Sequence, residues 1–158
     1  MNEEHARAAA DIAEVEAANT AFYEALERGD LDALTDSWLP GEDLTVSCVH
    51  PGWPVLTGRR DVLRSYALIM ANTDYIQFFL TDVNVTMTDD TALVTCTENI
   101  LSGGPAEDGD ALGPLVGRLV VATNVFRHTA DGWKLWSHHG SPVLADSDED
   151  DDDEDTTP

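Results

Sequence analysis

The segment Asn124-Val-Phe-Arg-His-Thr-Ala-Asp-Gly-Trp-Lys-Leu-Trp-Ser-His-His139 reads as two long strands joined by a tight turn at Asp131-Gly132. Asp-Gly between alternating apolar residues is a strong hairpin signal, because glycine accepts the positive φ of primed turns and those turns match strand twist. Pairing across the turn sets even positions of the first strand against odd positions of the second. Val120, Ala122 and Phe126 then share a face with Trp133 and Leu135, a stripe fit for a core. The same parity carries Asn124 and His139, so two polar groups continue the apolar face and point to a pocket.

Upstream, Tyr75 to Thr88, Ala92 to Ser102 and Val116 to Thr129 read as strands. A turn at Asp89-Asp90 sets Val83, Val85 and Met87 beside Val94, Cys96 and Glu98, which puts Glu98 on an apolar parity as well. Leu44 to His50 alternates at period two, with Leu44, Val46, Cys48 and His50 on one side, until Pro51-Gly-Trp-Pro54 breaks the strand. The loop from Gly103 to Pro114 is rich in Gly, Pro and acids and too long for a tight hairpin, which leaves a flap or a disordered link.

Helices come first. From about Ala8 to Arg28 the positions Ala8, Ile12, Val15, Asn19, Phe22 and Leu26 recur at helical spacing. Gly29 suits the left-handed residue after the helix, and Asp30 suits the cap of a short second helix with Leu31, Leu34 and Trp38. Thr57-Gly58 opens a third helix to about Met70, whose stripe is Val62, Leu63, Tyr66, Ile69 and Met70.

At 158 residues the chain fits one domain. Its formal charge is −23, and Asp146 to Asp155 holds nine acids without a base, so residues 146–158 read as a disordered acidic tail on a domain at 1–145. Such a field repels phosphate backbones and anionic lipid heads, which argues against nucleic-acid and membrane-surface roles. The start lacks the pattern of a secretory signal and no apolar run approaches a bilayer span, so a cytoplasmic protein is expected. Cys48 and Cys96 sit among apolar neighbours and read as buried reduced thiols. Strand pieces such as Ile76 to Leu80 are apolar on both parities, and with three helices to cover one face, a homodimer through the outer sheet face is expected.

The motifs Ala18-Asn-Thr-Ala-Phe-Tyr23 with Gly29-Asp30, Cys48-Val-His-Pro-Gly-Trp53 followed by Leu56-Thr-Gly-Arg59, and Asn124-Val-Phe-Arg127 with Gly132-Trp-Lys-Leu-Trp-Ser-His-His139 span residues 8 to 144. In this order they resemble the nuclear-transport-factor-2-like superfamily, in its bacterial SnoaL-like branch. The resemblance implies an α+β cone, in which a curved antiparallel sheet wraps around three helices of the N-terminal half and leaves an apolar pocket. Relatives of this kind include ketosteroid isomerases, polyketide cyclases, dehydratases and epoxide hydrolases, alongside non-catalytic binding and assembly domains. The first helix departs from the isomerase pattern in lacking an obvious inward carboxylate. Fold does not dictate activity, so enzyme status stays open.

The residues expected at the pocket are His50, Glu98 and His139 as proton-handling groups and Trp38, Trp53, Tyr66 and Asn124 as ligand contacts. Histidine shuttles protons near neutral pH, and a carboxyl desolvated among Val94, Cys96 and Phe126 gains a raised pKa suited to acid–base work. Tyr66 and Asn124 are donors able to hold a carbonyl or enolate, which favours isomerisation, cyclisation or dehydration of a small apolar or aromatic molecule. For each of them packing is the competing role, and a register slip of one residue would turn Glu98 outward. No cofactor is expected. A metal is not expected either, since adjacent strand residues His138 and His139 face opposite ways and no metal-ligand motif is present. The alternative is a non-catalytic dimeric module using its sheet face and acidic tail for assembly.

Overall fold

Helix α1 (Asn2–Arg28) is longer than the stripe alone predicts, because Glu3 and Glu4 complement the dipole of its first turn and alanines fill the stretch that follows. Its first half stands largely in solvent; Val15, Asn19, Phe22, Tyr23 and Ala25 are the buried anchors. In the computed structural model, residues 2–41, 43–104 and 114–144 are described. Most of the Gly103 to Pro114 loop and the whole tail 146–158 lie outside them.

Helix α2 (Leu31–Ser37) begins at Asp30, whose side chain accepts from the Ala33 amide at 3.0 Å. Its last carbonyls are taken by helix α3 (Arg59–Ala71): Arg59 donates to Thr35 O at 3.1 Å, Trp38 O at 2.9 Å and Leu39 O at 2.6 Å. Leu34 and Trp38 fill the space between α1 and the sheet.

Among the described residues six strands form one mixed sheet in the order β2-β1-β6-β5-β4-β3. β1 is Ser47–Val49, β2 Leu56–Thr57, β3 Tyr75–Thr88, β4 Thr91–Gly103, β5 Leu115–Thr129 and β6 Gly132–Pro142. The long strands pair antiparallel, while β1 runs parallel to β6, so the sheet is not antiparallel throughout. β2, formed by two residues paired with β1, was not expected from the pattern. α1 lies in the concave face, where Phe22, Val46, Val62, Val94, Phe126 and Leu135 close the core. Each such side chain contributes roughly 1.5–3 kcal/mol through burial.

Two bulges change the register. In β3 the pairing steps from Thr81↔Thr97 to Asn84↔Thr95, with Asp82 at φ 55°. Even positions Phe78 and Leu80 therefore face inward before the bulge and odd positions Val85 and Met87 after it, while Val83, expected in the core, is 40% exposed. In the final hairpin the pairing steps from Phe126↔Leu135 to Val125↔Ser137, leaving Trp136 as the extra residue. The Trp136 indole donates to Thr45 O at 3.2 Å and so ties the bulge to the segment before β1. Beyond it Asn124 opposes His138, and the expected even-to-odd pairing becomes even-to-even.

Candidate active site

The Trp136 bulge decides which histidine faces the helices. His138 is buried and His139 is exposed on the outer face, opposite to the placement that unbroken alternation predicts. The inward position expected for His139 is corrected on this ground.

At the open end of the cone lies a cavity of about 160 Å³. Leu26, Ile69, Ile76, Phe78 and Ile100 form its apolar wall, and Tyr23, His50, Tyr66, Glu98, Arg118 and His138 supply its polar groups. A dry cavity near this size accommodates one benzene ring. Glu98, inward on β4 as its parity predicts, is only 3% exposed. Trp53 stands at the mouth, 40% exposed, with its ring 4.9 Å edge-on to His50. Tyr66 reaches the cavity from α3, 4.8 Å from the His50 ring.

Two expected contacts lie elsewhere. Trp38 is 1% exposed and packs against Phe22 and Tyr66 in the core, away from the cavity wall. Its backbone forms an isolated parallel bridge with Leu135 of β6. Asn124 stands one layer behind the wall and acts on the groups that form it.

Those hydrogen bonds form one connected set. The Tyr23 hydroxyl donates to Glu98 Oε2 at 2.5 Å and accepts from Asn124 Nδ2 at 3.1 Å. Asn124 Nδ2 also donates to Asn19 Oδ1 at 2.8 Å, which orients the amide with Oδ1 toward His138. That oxygen accepts only, so His138 Nδ1 carries the proton and donates to it at 2.5 Å. Nε2 of His138 is left as a bare acceptor. A parallel argument applies to His50. Ser65 spends its single hydroxyl hydrogen on Val62 O at 2.6 Å, so His50 Nε2 donates to Ser65 Oγ at 2.8 Å and Nδ1 keeps its lone pair.

Burial raises the Glu98 carboxyl to about 7 against the opposing pull of the Tyr23 hydrogen bond and the Arg118 charge. It drives His50 down to about 4 and His138 to about 3, the latter helped by His50 and His139. Both imidazoles are therefore neutral near pH 7. Burial, then the Glu98 and Cys96 charges, push the Tyr23 hydroxyl far above the ordinary phenol range. Cys48 and Cys96 are free and buried, and burial lifts each thiol to about 11, which keeps both protonated and poor nucleophiles. Among the described residues no group of three His, Cys, Asp or Glu side chains converges on one point.

Sequence reasoning missed Tyr23, Ser65, Arg118 and His138. Tyr23 lies one residue beyond Phe22 in the helical stripe, and Arg118 shares the even parity of Val120 and Asn124, so both were readable in principle. His138 was not, because nothing in the local pattern announces the Trp136 bulge.

A curved mixed sheet folded over an N-terminal helix, with a half-apolar cavity at its open end, defines an NTF2-like α+β cone. The chain belongs to the SnoaL-like domain family, whose model matches residues 15–145. It is 70% identical to a protein of Streptomyces avermitilis named, provisionally, a dehydratase from the NTF2-like family, at TM-score 0.81 over 85% of this chain and 97% of that one. A Thiobacillus denitrificans protein, named as provisionally a calcium/calmodulin-dependent protein kinase type II association domain, is 29% identical at TM-score 0.64, covering 82% of this chain and 94% of that one. Among curated proteins the F-box protein SKIP8 of Arabidopsis thaliana is 25% identical over 132 residues, 83% of this chain. The chain spans 50% of that relative's length. No helix among the described residues is long and apolar enough to cross a membrane.

Proposed function

We propose that the protein binds a small apolar or aromatic molecule in this cavity and turns it over by cofactor-free acid–base chemistry, with dehydration or isomerisation beside a carbonyl as the reaction type. The observation that carries the reading is Glu98, a carboxyl buried in a cavity wall and raised to about 7, where it is divided between acid and base at working pH. Ionised Glu98 removes a proton from the carbon next to a carbonyl. The same carboxyl, now protonated, delivers it to a leaving hydroxyl, which departs as water, or to a second carbon, which completes an isomerisation. The bare Nε2 of His138 accepts a hydrogen bond from a substrate hydroxyl, and the Tyr66 hydroxyl donates to the carbonyl on which negative charge develops. The similarity to the Streptomyces protein supports dehydration as the first class to assay.

The test follows the first step alone. Single-ring ketones and 3-hydroxy ketones are incubated with the protein in D2O, and deuterium uptake beside the carbonyl is read by mass spectrometry. Wild-type protein should accelerate uptake and Glu98→Gln should lose it by roughly 10²–10⁴-fold. Equal uptake in both proteins would remove Glu98 from the role.

A second reading rests on the outer sheet face, where Phe79, Leu93, Leu119 and Val121 are 37–52% exposed. Exposed apolar side chains on this face suit a second copy of the chain, and the association-domain relative supports an assembly role. In this reading the protein is a cytoplasmic homodimer that binds without turnover. Sedimentation of wild-type protein against Val121→Glu tests it: a dimer that becomes a monomer supports the face, and an unchanged state removes it.

A further inference from the structure

Among the described residues the cavity has one permanently charged group, and it stands at the entrance. Arg118 lies on β5 at the inward parity, opposite Ile100 and two residues from Val120, the partner of Glu98. It lines the cavity and also the shallow hollow outside it, whose other borders include Gly117, Leu119, Pro142 and Val143. The guanidinium therefore sits where the enclosed space opens to solvent.

Arg7, Arg60 and Arg64 lie on exposed helix surface and do not line the cavity, and four further basic side chains have structural employment. Arg59 binds the carbonyls behind α2, Arg127 donates to Thr91 Oγ1 at 2.8 Å, Lys134 donates to Asp36 O at 2.7 Å, and Arg28 pairs with Asp30 at 3.7 Å. Arg118 has neither a hydrogen bond nor an ion pair to any described residue. Its charge reaches Glu98, without a direct contact. Beyond it both histidines are uncharged at neutral pH, and Glu98, with its pKa raised to about 7, is only partly ionised there. In a chain of net charge −23, a guanidinium without a partner among the described residues makes the cavity entrance a place where an anion is attracted.

We infer that the molecule taken into the cavity is a small carboxylic acid, a single ring or short chain whose carboxylate is held at the mouth by Arg118 while its apolar body lies against Phe78 and Ile100. The inference rests on the small-molecule reading above and narrows its substrate class. The fork of the guanidinium matches a carboxylate with two parallel N–H donors, a fit that a lysine does not reproduce. Anchoring the acid group at the mouth also directs the opposite end of the molecule toward Glu98 and the bare nitrogen of His138.

Calorimetric titration with benzoate and benzamide tests it, because the two ligands share a ring and differ in charge. Wild-type protein should bind benzoate about tenfold more tightly than benzamide, and Arg118→Gln should erase that preference. In Glu98→Gln, where Arg118 has no carboxylate to influence, the preference should persist and should again vanish in the double variant. A preference that disappears in Glu98→Gln would mean that Arg118 acts only on Glu98, and the inference falls. Equal binding of the two ligands to wild-type protein overturns the carboxylate inference and leaves the small-molecule reading standing. Binding of neither at millimolar concentration overturns both.

Discussion

The Tyr23 hydroxyl donates to Glu98 Oε2 at 2.5 Å and thereby links the first helix to the fourth strand across 75 residues of sequence. The same oxygen accepts from Asn124, so one phenol stands between the carboxyl and the amide that orients His138. Neither partner could be left alone at this depth without a desolvation cost.

Tyr23→Phe keeps the ring and deletes this link. Since the hydrogen bond holds the Glu98 carboxyl down, its loss should carry the Glu98 pKa above 7, read by carbon-detected NMR titration of the carboxyl. The variant should also lose about 1–3 kcal/mol of stability to chemical denaturation. An unmoved Glu98 titration would show that the hydrogen bond is absent in solution.

Glu98 also governs a pH-dependent part of stability. Its folded pKa lies above the unfolded one, so the folded state binds more protons between about pH 4.5 and 7, and the stability it contributes falls as pH rises through that window. Glu98→Gln removes the cost of burying a carboxylate. The variant should therefore gain on wild type as pH rises from 4.5 to 7.5, by about 3 kcal/mol at most, in paired urea titrations. A constant difference across the range would contradict the buried carboxyl.

His50 and His138 act in the opposite sense. Their folded pKa values, about 4 and about 3, lie below the unfolded value, so stability present at pH 7 is lost as pH falls below 6.5. By pH 4 each histidine should cost roughly 3 kcal/mol. Thermal melts between pH 7 and pH 4 should show a steep decline that becomes shallower in His50→Asn, and an equal slope in the variant would reject a neutral buried His50.

The two adjacent histidines on β6 should behave differently. His138→Ala removes the donor to Asn124 and leaves that buried oxygen unpaired, which should cost about 1–3 kcal/mol and lower turnover. His139→Ala alters an exposed side chain and should stay within about 0.5 kcal/mol of wild type. The reverse ranking in denaturant melts would place the bulge elsewhere.

Gly140 holds the entrance in shape. A Cβ there would meet Pro51 Cγ and Val120 Cγ1 at 3.2 Å, so Gly140→Ala must displace the residue that follows His50. The expected cost is about 1–3 kcal/mol, with weaker ligand binding because Pro51 also lines the cavity. Unchanged melting and binding would mean that the Pro51 turn yields freely.

Much of this protein was determined by sequence alone. Helical spacing in α1 and α3, the Asp131-Gly132 turn and the period of β4 place the core and turn Glu98 inward, because local periodicity is enforced by burial on one face. His50, Tyr66 and Glu98 among the cavity-lining residues were legible for the same reason, and Trp53 from its place in the Pro51 to Pro54 turn. Tertiary structure decided the rest. A bulge at Trp136 is stabilised by a hydrogen bond to Thr45, a residue 91 positions away, and it alone exchanges His139 for His138. The tautomers of both histidines depend on Ser65, Asn124 and Asn19, contributed by other elements. Trp38 carries the composition of a pocket wall, but packing between α2 and β6 takes its ring into the core. Alternation along a strand reports which face a residue prefers, whereas an inserted residue and a long-range hydrogen bond are settled only when distant segments meet.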